Sequence, residues 1–152
     1  RRQRQMCIRD RLNYQAVGFD DSKWRTVRTF SDTLDAQGLE DRKTVMWYRT
    51  KINLPASGKK LVLYAAEIDG DASVYINGQL MAPVMEVTTG SGKNAKTETK
   101  PISVFPKRRP FSMDITEAVK AGENVIAIRC DHTKINELFT GGVLRPIIIV
   151  EK

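Results

Sequence analysis

The chain has 152 residues, 25 lysines and arginines against 18 aspartates and glutamates, and a formal charge of +7. That length suits one domain with its own core, and 41% hydrophobic with 28% charged residues is a globular composition, not a disordered one. Two cysteines and one histidine exclude a disulfide framework, a cysteine-rich zinc site and a histidine cluster for metal, and no apolar run nears the roughly 20 residues of a membrane helix.

Residues 1–11 read RRQRQMCIRDR and carry four of the seven net charges. The run has no apolar period, no signal-peptide core and no helix caps, and it resembles the read-through translation of a sequencing adapter. It is expected to be a basic leader outside the fold, so the pI near 9.6 is no argument for a nucleic-acid partner. Residues 12–152 are expected to form a single domain.

From there the chain reads as β throughout. Runs rich in β-branched and aromatic residues recur between turn signals: Trp24–Phe30, Val45–Leu54, Lys60–Ile68, Ala72–Asn77, Ile102–Phe105, Phe111–Ile115, Asn124–Cys130 and Val143–Val150. Tyr48, Thr50, Ile52 and Leu54 alternate with Trp47, Arg49, Lys51 and Asn53, and Ile126, Ile128 and Cys130 alternate with Ala127 and Arg129. A period of two over many segments predicts strands half-buried against a core. Asn77-Gly78 is the strongest hairpin signal, and residues 114–122 invite one helical turn with Asp114 or Thr116 at its start and Gly122 as its stop. Residues 88–109 are polar, bear glycine and lysine, and are expected to be a long surface loop. Many short strands with no long helix predict an all-β, antiparallel β-sandwich of the jelly-roll kind.

Five segments, taken together, carry a family resemblance. They are Gly18-Phe19-Asp20-Asp21-Ser22-Lys23-Trp24; Trp47-Tyr48-Arg49 opening a strand that ends at Pro55; Asp71-Ala72-Ser73-Val74-Tyr75-Ile76-Asn77-Gly78; Pro110–Thr116 followed by Ala121–Arg129; and Gly141-Gly142-Val143-Leu144-Arg145-Pro146. In this order and over residues 18–150 the chain resembles the sugar-binding jelly-roll domain of glycoside hydrolase family 2, the β-galactosidase and β-glucuronidase type. Similar sandwiches occur inside sialate O-acetylesterases. The matched residues also have physical readings of their own. The Asp20-Asp21-Ser22 turn offers side chains to cap amides, and Asn77-Gly78 tolerates the positive φ of a tight turn.

The resemblance implies a non-catalytic accessory domain, because the two carboxyl groups that cleave a glycoside sit in that family on a separate barrel. It implies weak carbohydrate binding, a catalytic barrel as partner, no nucleic acid, no membrane and a periplasmic or extracellular setting. It also implies a polar residue near the sandwich end that reaches the sugar; here the matching stretch offers Asn136 or Glu137. Asp131 and His132, just past the Asn124–Cys130 strand, read either as exposed loop residues or as polar contacts at that end. Trp47 reads as core or interdomain packing, or as a platform for a pyranose. No cofactor is implied, although Asp20, Asp69 and Asp71 can supply oxygens to a structural calcium of the kind such jelly rolls hold. Cys130 reads as a small buried hydrophobe. The rival from another class is a protein-interaction sandwich without sugar affinity.

Overall fold

In a computed structural model of the chain, residues 12–29, 37–38, 44–82, 84–101, 109–131, 133 and 142–152 are described. The leader, the expected strand at 102–105 and His132, Asn136 and Glu137 lie outside them. The strands are β1 (Val45–Leu54), β2 (Leu61–Ala65), β3 (Ile68–Asp69), β4 (Asp71–Ile76), β5 (Gln79–Leu80), β6 (Val84–Thr89), β7 (Lys96–Pro101), β8 (Phe111–Asp114), β9 (Gly122–Asp131), β10 (Gly142–Val143) and β11 (Ile147–Glu151). They form a β-sandwich of two main antiparallel sheets, ordered β1-β9-β4-β5 and β11-β2-β8-β6-β7, with β10-β3 as a two-stranded ribbon.

The alternation seen in sequence becomes the core. Leu61, Leu63 and Ala65 of β2, Phe111 and Met113 of β8, Ala72, Val74 and Ile76 of β4, and Ile126, Ile128 and Cys130 of β9 share one cluster, with Tyr48, Ile52 and Leu54 of β1 packed against it. Each fully buried Leu or Ile contributes about 1.5–3 kcal/mol. The central strand β9 is buried on both faces over Asn124–Ile128, because the outer face of its sheet is also covered.

Two asparagines, Asn124 buried and Asn77 half-buried, fix one end of the sandwich. Asn77 (φ 50°) and Gly78 (φ 83°) make the turn between β4 and β5 in the left-handed region. Asn77 Nδ2 donates to Ala118 O and to Asn124 Oδ1, both at 2.8 Å, while its Oδ1 accepts from Val125 N at 2.9 Å. Asn124 Nδ2 in turn donates to Lys120 O and Gly122 O. Two motif residues far apart in sequence thus satisfy each other and three backbone segments.

Five expectations change. Trp24–Phe30 is not a strand over its described residues; the Arg28 amide and carbonyl are taken by the Gln37 side chain, leaving no ladder to join. The run Lys60–Ile68 divides into β2 and β3, which pair in different sheets, and Val143–Val150 divides at Pro146, which has no N–H to donate. Part of the stretch expected as a long loop is hairpin: β6 and β7 pair from Val84↔Pro101 to Thr89↔Lys96, with Thr88 and Thr97 hydroxyls 2.9 Å apart. Its threonines favour strands despite their polarity. The helical turn shrinks to a 3₁₀ turn at Thr116–Ala118, with the Asp114 carboxylate accepting from the Thr116 amide at 3.0 Å and its hydroxyl at 2.6 Å.

Candidate functional site

The outer face of β1 is where the first two motifs meet. Trp47, Arg49 and Lys51 point away from the core, and residues 14–24 fold across Trp47 and Arg49, while Lys51 stays exposed beside Glu123. Arg49 Nε lies 2.8 Å from Asp21 Oδ2, and its Nη1 donates to Ala16 O at 3.1 Å and to Tyr14 O. The guanidinium carbon sits 5.5 Å over the Phe19 ring. The Arg49 side chain is only 1% exposed and Asp21 32%. A cation so enclosed needs a charged partner and several acceptors, and the FDD turn together with the 14–16 carbonyls supplies them.

Aromatic rings complete this layer. Tyr14 packs edge-on against Phe19, Trp24 and Trp47 at 5.0–5.5 Å, and Trp47 stacks on Tyr75 at 5.7 Å. Small Ala127 lies in register between Arg49 and Tyr75, leaving room for the rings above. Trp47 therefore turns one face to Tyr75 and meets Tyr14 at a steep angle. Two donors in this layer, Trp47 Nε1 and Arg49 Nη2, are buried and have no hydrogen-bond partner among the described residues.

Asp131 lies at the other candidate place, the end of β9, opposite Val45 on one side and Asp71 on the other. Its Oδ1 accepts from the Thr133 amide at 3.0 Å and hydroxyl at 2.6 Å, and Oδ2 lies 3.3 Å from Arg129 Nη2. Burial pushes this carboxyl up, but the Thr133 bonds and Arg129 outweigh it and hold it below the ordinary value. Asp20, Asp114 and Glu151 are also held low by hydrogen bonds. Carboxyls so held stay ionised at neutral pH; they accept hydrogen bonds and do not protonate a leaving group.

Next to Asp131, Cys130 donates from Sγ to Asp69 O at 3.1 Å. Burial pushes its thiol up to about 12, with the neighbouring carboxylates adding to the shift, so it packs as the expected hydrophobe. A Cβ on Gly70 (φ 128°) would stand 2.7 Å from that sulfur, so this corner admits only glycine. Asp69 and Asp71 flank the corner, whereas Asp20 turns back to accept from its own Ser22 amide at 3.0 Å. Among the described residues no group of three His, Cys, Asp or Glu side chains is placed to hold a metal ion.

Between these features a groove of about 1000 Å³ runs beside β1. Every residue of 46–52 lines it, from both faces of the strand, which is possible only if the groove lies along the strand's edge. Its inner wall is apolar, with Ile147 and Ile149 of β11 facing Tyr48, Ile52 and Leu54; its outer lip carries Arg25, Arg49 and Lys51. Alternation in the sequence marks both walls, but no sequence signal marks the gap between strands 100 residues apart.

No protein-family model and no curated protein matches the sequence. Solved structures match its fold. A β-glucuronidase 2 of Bacteroides uniformis superposes with a TM-score of 0.64 at 21% identity, over 91% of this chain and 16% of its own. A β-glycosidase from Bacteroides vulgatus gives 0.61 at 19%, over 91% and 18%, and a glycosyl hydrolase family 2 member from Bacteroides cellulosilyticus DSM 14838 gives 0.57 at 20%, over 88% and 17%. The chain thus spans less than a fifth of each of these proteins. At such identity the likeness is one of fold.

Proposed function

We propose that this chain is a non-catalytic, jelly-roll accessory domain of a glycoside hydrolase family 2-like enzyme. It packs on a catalytic barrel and shapes one wall of the sugar pocket with the loops at the end of its sandwich. The observation that carries this reading is the superposition: nine-tenths of this chain shares its fold with under a fifth of glycosidase chains. The order of the five motifs over residues 18–150 supports it independently.

In this reading most motif residues are scaffold. Arg49 and Asp21 clasp the segment before β1, Asn77 and Asn124 lock the turns, and both leave the end loops supported by rigid strands. Asp131 stands at one such end as a fixed anion able to accept a sugar hydroxyl, followed in sequence by His132, Asn136 and Glu137. Affinity for free sugar is expected at the millimolar level, about −4 kcal/mol, since few polar anchors are involved. An apolar strip on the opposite sheet offers the barrel a contact in this reading. Tyr64, Ile148 and Val150, 37%, 48% and 39% exposed, share the outer face of the five-stranded sheet with Ile148 directly opposite Tyr64.

The test is a titration of the full chain with methyl β-galactoside and methyl β-glucuronide, followed by NMR. Shifts confined to amides of residues 131–140 at tens of millimolar sugar are expected. No shift at any amide would favour the interaction-module alternative, with the Tyr64–Ile148–Val150 face as its contact.

A further inference from the structure

The Asn77-Gly78 turn carries a chemistry independent of the sugar reading. An asparagine followed by glycine is open to deamidation, because no side chain on the second residue screens its amide nitrogen from the asparagine Cγ. In the fold that Cγ bears a fully engaged amide. Its Nδ2 donates to Ala118 O and Asn124 Oδ1, both at 2.8 Å, and its Oδ1 accepts from Val125 N at 2.9 Å. With the Asn77 amide donating to Val125 O at 2.8 Å, the side chain prolongs the β4–β9 ladder by one rung. Asn124 cannot turn to adapt, for its Oδ1 also accepts from Lys120 N at 2.9 Å while its Nδ2 donates to Lys120 O and Gly122 O.

We infer that Asn77 is a deamidation site which the native fold guards and unfolding opens, so that prolonged unfolding at alkaline pH becomes irreversible. In the open chain hydroxide removes the Gly78 amide proton and the nitrogen forms a bond to Asn77 Cγ. The Cγ–Nδ2 bond breaks, and the nitrogen leaves as ammonia after taking a proton from water. Water then opens the succinimide at one carbonyl or the other, giving aspartate or isoaspartate; one water is consumed, one ammonia is released and nothing is oxidised. In the folded chain ring closure expels the nitrogen that joins Ala118 to Asn124, so both bonds must first be given up. Such local opening is rare where the partners Asn124 and Val125 lie fully buried on β9. Nor does the product fit back. An aspartate at position 77 sets a carboxylate oxygen against Ala118 O and Asn124 Oδ1, acceptor on acceptor. An isoaspartate adds a carbon to the backbone of a turn that needs φ of 50° and 83° in succession.

The test follows deamidation at Asn77 by peptide mass mapping at pH 8, in the full chain and in a synthetic peptide of residues 72–82. In the native chain Asn77 is expected to react at least about tenfold more slowly than in the peptide, and in guanidinium chloride at the peptide's rate. Refolding yield after increasing times in guanidinium should fall in step with the deamidated fraction at that residue. Gly78→Ala, whose Cβ would meet Gln15 O at an ordinary 3.6 Å, should slow both losses in guanidinium by about tenfold. A native rate within about twofold of the peptide's would overturn the guarding role, since the turn would then open freely. Complete refolding of chains already deamidated at residue 77 would overturn the inference too. So would a refolding loss that Gly78→Ala leaves unchanged, because another lesion would then be responsible.

Discussion

Replacing Arg49 with methionine tests how the segment before β1 is held. The substitution keeps most of the side-chain length and removes an ion pair at 2.8 Å, two hydrogen bonds to carbonyls and a cation over the Phe19 ring. Losing one partner of a buried pair costs about 3–5 kcal/mol when the other charge is stranded. Asp21 keeps 32% of its side-chain surface, so water takes over part of Arg49's role and the cost falls to about 2–3 kcal/mol. For a domain of this size that lowers Tm by roughly 4–12 °C. Arg49→Lys keeps the charge but cannot reach the carboxylate and two carbonyls at once, and should lose about half as much. Urea unfolding gives the free energies, and the double variant Asp21→Asn/Arg49→Met gives their coupling, expected near 1–2 kcal/mol. Amide exchange should quicken at residues 14–24 well before the β4–β9 ladder. Arg49→Met within 0.5 kcal/mol of the parent, or exchange that quickens uniformly, would refute this account of the clasp.

Asn77→Ala removes three hydrogen bonds of a half-buried network and places a Cβ-bearing residue without a polar side chain at φ 50°; a loss of about 2–4 kcal/mol in urea unfolding is expected. Asp114 has its carboxyl lowered to about 2, first by the Thr116 hydroxyl and amide, so it stabilises the fold above its unfolded value of 3.8 and ceases to do so as pH falls toward 2. Asp114→Ala should accordingly cost about 0.5–1 kcal/mol at pH 7, and parent and variant should converge near pH 2 in thermal melts. Cys130, buried with its thiol near 12, should resist iodoacetamide at pH 8 in the native chain and react fully in urea, as read by peptide mass mapping of that residue. Rapid native alkylation at Cys130 would mean that the corner around Gly70 opens.

The sequence by itself determined the class of fold and its core. Period-two alternation at Val45–Leu54, Ala72–Asn77 and Asn124–Cys130 names the strands and their inner faces, because a strand sends neighbouring side chains to opposite sides whatever it packs on. Asn77-Gly78 likewise marks its turn, since few residue pairs accept positive φ twice. Only the tertiary structure decided what the outer faces do. Arg49 shares a strand face with Lys51 in the sequence, yet it is buried because residues 14–24 fold over it, a contact spanning some 30 positions that no local period encodes. The division of Lys60–Ile68 between sheets and the hairpin inside the polar 88–101 stretch depend equally on which backbone groups find partners. The groove is the extreme case, for its walls come from strands a hundred residues apart, and a gap between edges exists only once both sheets are in place.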